Sequence, residues 1–144
     1  MNQRPRGAVV VDTGVFGADI LRRSSPLVEL YTPMLAGRAV LLSFQTVAEL
    51  RYGALLADWG PIRLGRLAAK IAHAEIVWPG PELVGVYARL RVDCVRAGHA
   101  LAARAHDADR WVAATAIHLR LPLVAHDGVF RNVPGLTLET ALGD

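Results

Sequence analysis

The sequence predicts an α/β fold whose mostly parallel sheet is covered by helices on both faces. Three observations carry this expectation. Short runs of branched apolar residues recur along the chain. Stretches with helical periodicity separate them, so consecutive strands need crossover connections. The runs are continuously apolar rather than alternating, as in strands buried on both faces.

The elements follow in order. The run Ala8-Val9-Val10-Val11, stopped by Asp12-Thr13-Gly14, is the first strand. Residues 15–35 carry helical periodicity interrupted at Ser24-Ser25-Pro26, which predicts two helices. Residues 39–42 form the second strand, and Ser43 is placed to cap a helix over 44–56. Pro61 opens a helix to residue 72, since proline suits the first helical position. Residues 75–78 form a third strand, closed by Pro79-Gly80. A long helix over 83–97 ends near Gly98. Asp107 or Asp109 opens a helix to Leu119, with Asp107 the favoured cap. Residues 121–125 form a fourth strand and 136–138 a short fifth.

Length and composition bound the rest. The 144 residues fit one domain, 1–144, with residues 1–7 expected as a flexible arm. A 53% hydrophobic and 20% charged composition excludes general disorder. The net charge of +3 is only mildly basic. Lys70 is the one lysine among sixteen basic residues. That arginine bias suits bidentate phosphate contacts, although a GC-rich coding sequence produces it too. Arginines 22, 23, 51, 63, 66, 89, 91 and 96 are candidates for such contacts. Cys94 stands alone, so no intramolecular disulfide can form, which fits a reducing compartment. No secretory signal or membrane-length apolar run is read, and the expected location is the cytoplasm.

In open parallel sheets, ligands bind beyond the carboxyl ends of the strands. Acids gather there. Asp12 follows the first strand, and Asp127 follows the fourth. Glu49 lies in the second turn of the helix after the second strand, and Asp109 in the first turn of the helix before the fourth. Each has a plainer reading: a turn residue for Asp12, a solvated helix position for Glu49, a dipole-favoured first turn for Asp109, a turn before Gly128 for Asp127. The four together point further, because all fall where one site would form. Four carboxylates in one cleft raise one another's proton affinity unless a cation relieves them. All-oxygen ligands suit Mg²⁺ or Mn²⁺; the five histidines show no zinc-ligand spacing. Such an ion serves phosphoryl chemistry by activating water and stabilising the attacked phosphate. No P-loop, dinucleotide, serine-hydrolase or HExxH motif is present.

The motifs resemble those of PIN-domain nucleases, and of the VapC-type toxins among them. Val10-Val11-Asp12-Thr13 resembles their opening "hydrophobic-Asp-Thr/Ser". The segment from Thr46 through Glu49-Leu50 to Gly53 resembles "T-x-x-E-L-x-x-G". Asp109-Arg110-Trp111-Val112-Ala113-Ala114-Thr115-Ala116 resembles "D-x-W-I-A-A-T-A". The closing segment 121–130 resembles "L-P-L-V-T-x-D/N-x-D-F", with Ala125 for the usual Thr and Val129 for the second Asp.

The resemblance implies a PIN-like fold with a four- to five-stranded sheet. It implies a metal-dependent endoribonuclease toxin cutting tRNA or rRNA, with Asp12, Glu49, Asp109 and Asp127 as catalytic residues and ligands of Mg²⁺ or Mn²⁺. It also implies a homodimer, neutralised by a VapB-type antitoxin and independent of membranes. Val15, Phe16, Ile20, Leu21, Leu27, Leu30, Tyr31, Tyr52 and Leu56 are candidates for an antitoxin groove, with core packing the plain alternative for each. Thr13 is placed to orient Asp12 or to ligate through its hydroxyl, with a turn hydroxyl the plain alternative. Arg110 reads as a solvated helix residue, with phosphate contact as the alternative; His126 adjoins Asp127 and reads as a surface or capping residue, with substrate contact as the alternative. Trp59 is the aromatic to test against RNA, with a core or dimer role the alternative, whereas Trp111 and Phe130 read as core. Two rivals stay open: an RNA-processing PIN nuclease without antitoxin, and a catalytically weak PIN domain that binds RNA or protein.

Overall fold

The computed structural model describes residues 7–21 and 25–143. The expected arm therefore lies outside the described residues apart from Gly7, as do Arg22 and Arg23.

Five short strands form one parallel sheet: β1 (Val9–Val11), β2 (Val40–Ser43), β3 (Glu75–Val77), β4 (Leu123–Val124) and β5 (Leu138–Glu139). Their spatial order is β3-β2-β1-β4-β5. The chain builds outward from β1 to β3, then crosses back to lay β4 on the other flank of β1. This reversal opens a crevice at the carboxyl ends of β1 and β4. Asp12 and Asp127 stand at those ends.

Among the described residues seven helices cover the sheet: α1 (Thr13–Phe16), α2 (Ala18–Leu21), α3 (Pro26–Leu35), α4 (Phe44–Leu56), α5 (Pro61–Ala72), α6 (Pro81–Ala97) and α7 (Asp107–Leu119). Residues 15–35 thus hold three helices rather than two. Gly17 is the C-cap that ends α1 after one turn: its N–H bonds back to the Thr13 carbonyl (2.9 Å), and its own carbonyl accepts from the Ile20 N–H of α2 (3.1 Å). Ser25 then caps α3 by accepting from the Leu27 N–H (3.3 Å). Ser43 caps α4 as expected, accepting from the Gln45 N–H (3.2 Å).

Because successive strand residues face opposite sides, β1 divides its valines between two cores. Val10 packs with Leu41 and Leu123 under α6 and α7. Val9 and Val11 pack with Leu42 and Val124 beneath α1, α3, α4 and α5. All three valines are wholly buried. Phe130 is core as expected, whereas Trp111 is only half-buried, stacked on Tyr87 at 4.0 Å between centroids.

Helix α6 ends where Gly98 adopts φ +64°, letting the His99 N–H close onto the Cys94 carbonyl at 2.9 Å. A β-carbon there meets nothing within 4 Å, so the cost of adding one is conformational alone. Gly98→Ala is expected to lower stability by ~1 kcal/mol, read as a shifted urea midpoint with unchanged slope.

Candidate active site

Asp12 continues β1 in extended conformation, its N–H bonding to the Val124 carbonyl (3.0 Å). Its own carbonyl then accepts from Phe16 to start α1. The side chain makes no conventional cap bond but takes the Thr13 N–H, and is otherwise left to the crevice. Burial, above all, pushes its pKa from 3.8 up to about 7. The charges of Asp109, Glu49 and Asp127 add to the rise, in that order, against the lowering by Thr13.

Glu49 projects from the second turn of α4. Burial and the Asp109 charge raise its pKa, while interactions with the Thr13 and Gln45 side chains work the other way. The Thr13 hydroxyl also lies 3.1 Å from Thr46 Oγ1, and Thr46 is wholly buried. Thr13 therefore bonds Asp12 through its backbone only; its hydroxyl serves Thr46 and Glu49.

Asp109 sits in the first turn of α7, where its Oδ2 meets His106 Nδ1 at 2.9 Å. The sequence reading missed His106, although its spacing three residues before Asp109 at a helix start was the available signal. Asp107 corrects the expected cap. It lies inside the helix, and His106 occupies the cap position without a capping bond. The Asp107 carboxylate instead accepts from the Tyr87 hydroxyl and from Arg110 (3.2 Å).

Arg110 overturns both of its readings. It is 1% exposed and is the largest fully buried side chain among the described residues. Its Nη1 donates to the carbonyls of Leu101 (2.8 Å) and Ala103 (2.6 Å). It thereby holds the two 3-10 turns Ala100–Ala102 and Arg104–His106 against the start of α7.

Asp127 stands apart from the other acids. It is exposed, and one of its oxygens accepts from the Val129 N–H (2.9 Å), capping the 3-10 turn Gly128–Phe130. The turn reading is thus realised, and the Asp127 charge is the weakest of the three acting on Asp12.

Among the described residues, no three His, Cys, Asp or Glu side chains converge closely enough to share one ion directly. The donor set nevertheless fits a hard divalent cation. Mg²⁺ is commonly held by one or two carboxylates and completed by water. A half-buried acid whose charge is opposed by neighbouring acids, Asp109 and Glu49 above all, is where such a charge is most stabilising.

The sequence matches the family model described as "PIN domain" over residues 9–136. The chain belongs to the PIN domain family. Ribonuclease VapC5 of Mycobacterium tuberculosis is 33% identical to this PIN domain over 130 residues, 89% of each chain. Among solved structures, VapBC2 from Rickettsia felis, bound to a DNA fragment from its promoter, superposes with a TM-score of 0.76. It is 20% identical and covers 92% of this chain and 98% of that one. VapBC-5 of M. tuberculosis, a member of the VapBC family of toxin-antitoxin systems, superposes at 0.63 with 28% identity, over 92% and 96% of the two chains. The expected PIN-like architecture and the VapC-type resemblance both hold.

The expected groove divides. Tyr31, Val15 and Phe16 of this PIN domain are core, and Ile20 and Leu27 pack against it. Leu30, Tyr52 and Leu56 are exposed; the Leu21 side chain lies outside the described residues. Trp59 is half-buried, with the Arg63 guanidinium 3.9 Å over one face of its ring. Arg51, Arg66, Arg89, Arg91 and Arg96 are exposed. No helix among the described residues is long and apolar enough to cross a membrane.

Proposed function

We propose that this PIN domain is a divalent-metal-dependent endoribonuclease toxin, cutting RNA of the translation machinery and silenced by a VapB-type antitoxin. The observation that carries the reading is Asp12: a half-buried carboxylate at the sheet's switch point whose pKa is raised by desolvation and by the charges of three further acids. The ribonuclease name of the 33% identical relative supports the reaction class.

Asp12 and Asp109 would hold the ion, with Glu49 and Asp127 acting directly or through water. When bound, the ion supplies charge to the attacked phosphate and eases deprotonation of a nucleophilic water. The protein's own groups do the rest. His106 orients the Asp109 carboxylate, as partners behind metal ligands do. Thr13 and Gln45 steady Glu49, and the Asp12 backbone locks the crevice floor by bonding β4.

An antitoxin partner is supported by apolar surface that the fold leaves uncovered. Tyr52, Leu55, Leu56 and Ile62 are all more than 60% exposed. Beside them, α4 and α5 flank a groove of about 220 Å³ floored by Ala54, Leu67 and Ile71, with Arg51 at its side. A helix or strand with apolar and acidic side chains would be complementary to it.

The test is cleavage of total RNA by purified, partner-free protein with Mg²⁺, Mn²⁺ or EDTA, alongside Asp109→Asn. Metal-dependent cutting, reduced at least ~100-fold in the variant, is expected. No cutting by a folded wild type with either metal would overturn the nuclease reading. Undiminished cutting by the variant would overturn the assignment of the site.

A further inference from the structure

The Tyr31 hydroxyl is built into the sheet. In the β4–β5 ladder, Leu123 N–H bonds Thr137 O (2.9 Å) and Ala125 N–H bonds Glu139 O (3.3 Å). Even spacing would make Ala141 N–H to Ala125 O the next rung. The hydroxyl occupies that rung instead. It receives the Ala141 N–H (3.0 Å) and gives its proton to Ala125 O (3.1 Å).

His126 follows directly, and its Nδ1 lies 2.7 Å from the same oxygen. A phenol carries one proton and accepts through its oxygen lone pairs. Ala125 is wholly buried and Tyr31 is the donor to its carbonyl, which would otherwise be left unpaired. Imidazole can satisfy either role by choosing its tautomer. The proton of Tyr31 therefore belongs to Ala125, and His126 meets the phenol oxygen as a donor through Nδ1–H. Thr140 Oγ1, at 3.3 Å, is the longest of the hydroxyl's four contacts. The tautomer leaves His126 Nε2 as a bare acceptor, and no described residue bonds it. The ring is held edge-on to Tyr31 at 5.5 Å, half-buried, between the β4 end and Asp127.

Resting on the nuclease reading, we propose that His126 recognises the ribose 2′-hydroxyl of the substrate. The four acids of the site are acceptors for cations and water when ionised. An RNA backbone offers one hydrogen-bond donor per nucleotide, the 2′-hydroxyl, which DNA lacks. A fixed imidazole acceptor one residue before Asp127 is complementary to that donor.

Two measurements test this. The first is the ¹⁵N–¹H correlation spectrum of the His126 ring in the metal-free wild type near pH 8. The Nδ1–H tautomer is expected; an Nε2–H tautomer overturns the proposal whatever the activity. The second uses an RNA oligonucleotide carrying a site cut in total RNA, and its copy with one 2′-deoxy nucleotide on the 5′ side of the cut. Wild type is expected to cut the all-ribose strand roughly 3- to 10-fold faster, the size of one neutral hydrogen bond. His126→Phe keeps a flat ring but no acceptor, and is expected to cut both strands at the slower rate; His126→Gln recovers part of the difference. Equal rates on both strands by wild type, or discrimination that persists in His126→Phe, overturn the proposal while the nuclease stands. Cutting of neither strand by wild type overturns the nuclease reading, and this inference with it.

Discussion

Asp12→Asn is expected to abolish cleavage while making the metal-free protein harder to unfold. The catalytic loss follows from removing the most buried ligand of the proposed ion, whose charge stabilisation of several kcal/mol corresponds to a loss of ~10³-fold or more. The gain in stability follows from linkage. In the unfolded chain Asp12 releases its proton near 3.8, and in the folded chain near 7. Between those values the folded state holds a proton that the unfolded state has lost, so wild-type stability falls as pH rises through this window. Above about 7 the loss levels off, on the order of 4 kcal/mol. Asparagine fills the same space without a charge and escapes it. The variant's advantage in urea should be smallest below pH 4, grow to pH 7 and then level off. Mg²⁺ at pH 7.5 should raise the wild-type midpoint and leave the variant's nearly unchanged, since only a state that binds the ion is stabilised by it. A variant no more stable than wild type at pH 8 would show that Asp12 is not crowded in solution.

Arg110→Ala should be the most destabilising substitution near the site that touches none of the four acids. It leaves the Leu101 and Ala103 carbonyls without the guanidinium that joins them. It also takes from Asp107 one of its two donors. Two carbonyls lose their donor and a large buried side chain leaves a cavity, together about 3–5 kcal/mol, a fall of roughly 10–15 °C in Tm for a chain of this length. Arg110→Lys should recover less than half, since a single ammonium cannot reproduce the planar fork that serves two carbonyls and a carboxylate. Thermal unfolding followed by circular dichroism reads both. A loss below ~1 kcal/mol for Arg110→Ala would mean that the Ala100–His106 turns hold themselves.

The strands and the four acids were legible because their signals are local. Val9-Val10-Val11 ends at an Asp-Thr-Gly stop, Ser43 stands one residue before its helix, and each acid follows a readable strand or helix start. What escaped depends on partners far along the chain. Arg110 reads as a surface residue because charged groups are seldom buried. Its acceptors are main-chain carbonyls of a turn with no sequence signature. Tyr31 sits beside exposed Leu30 on α3, and only the ladder 94 to 110 residues downstream explains its burial. Asp107 looked like a cap until Tyr87, from α6, claimed its carboxylate.

The order of strands also sets a timetable for synthesis. β1 is the central strand, yet one of its two neighbours, β4, ends at Val124. Closing so long a loop is entropically costly, and parallel pairing across it is slow. A chain emerging from a ribosome therefore exposes one edge of β1 until residue 124 has emerged. Asp12 and Asp127 come to the ends of neighbouring strands only then, at the switch point formed last. The proposed nuclease site is therefore incomplete on any nascent chain too short to have laid β4 beside β1.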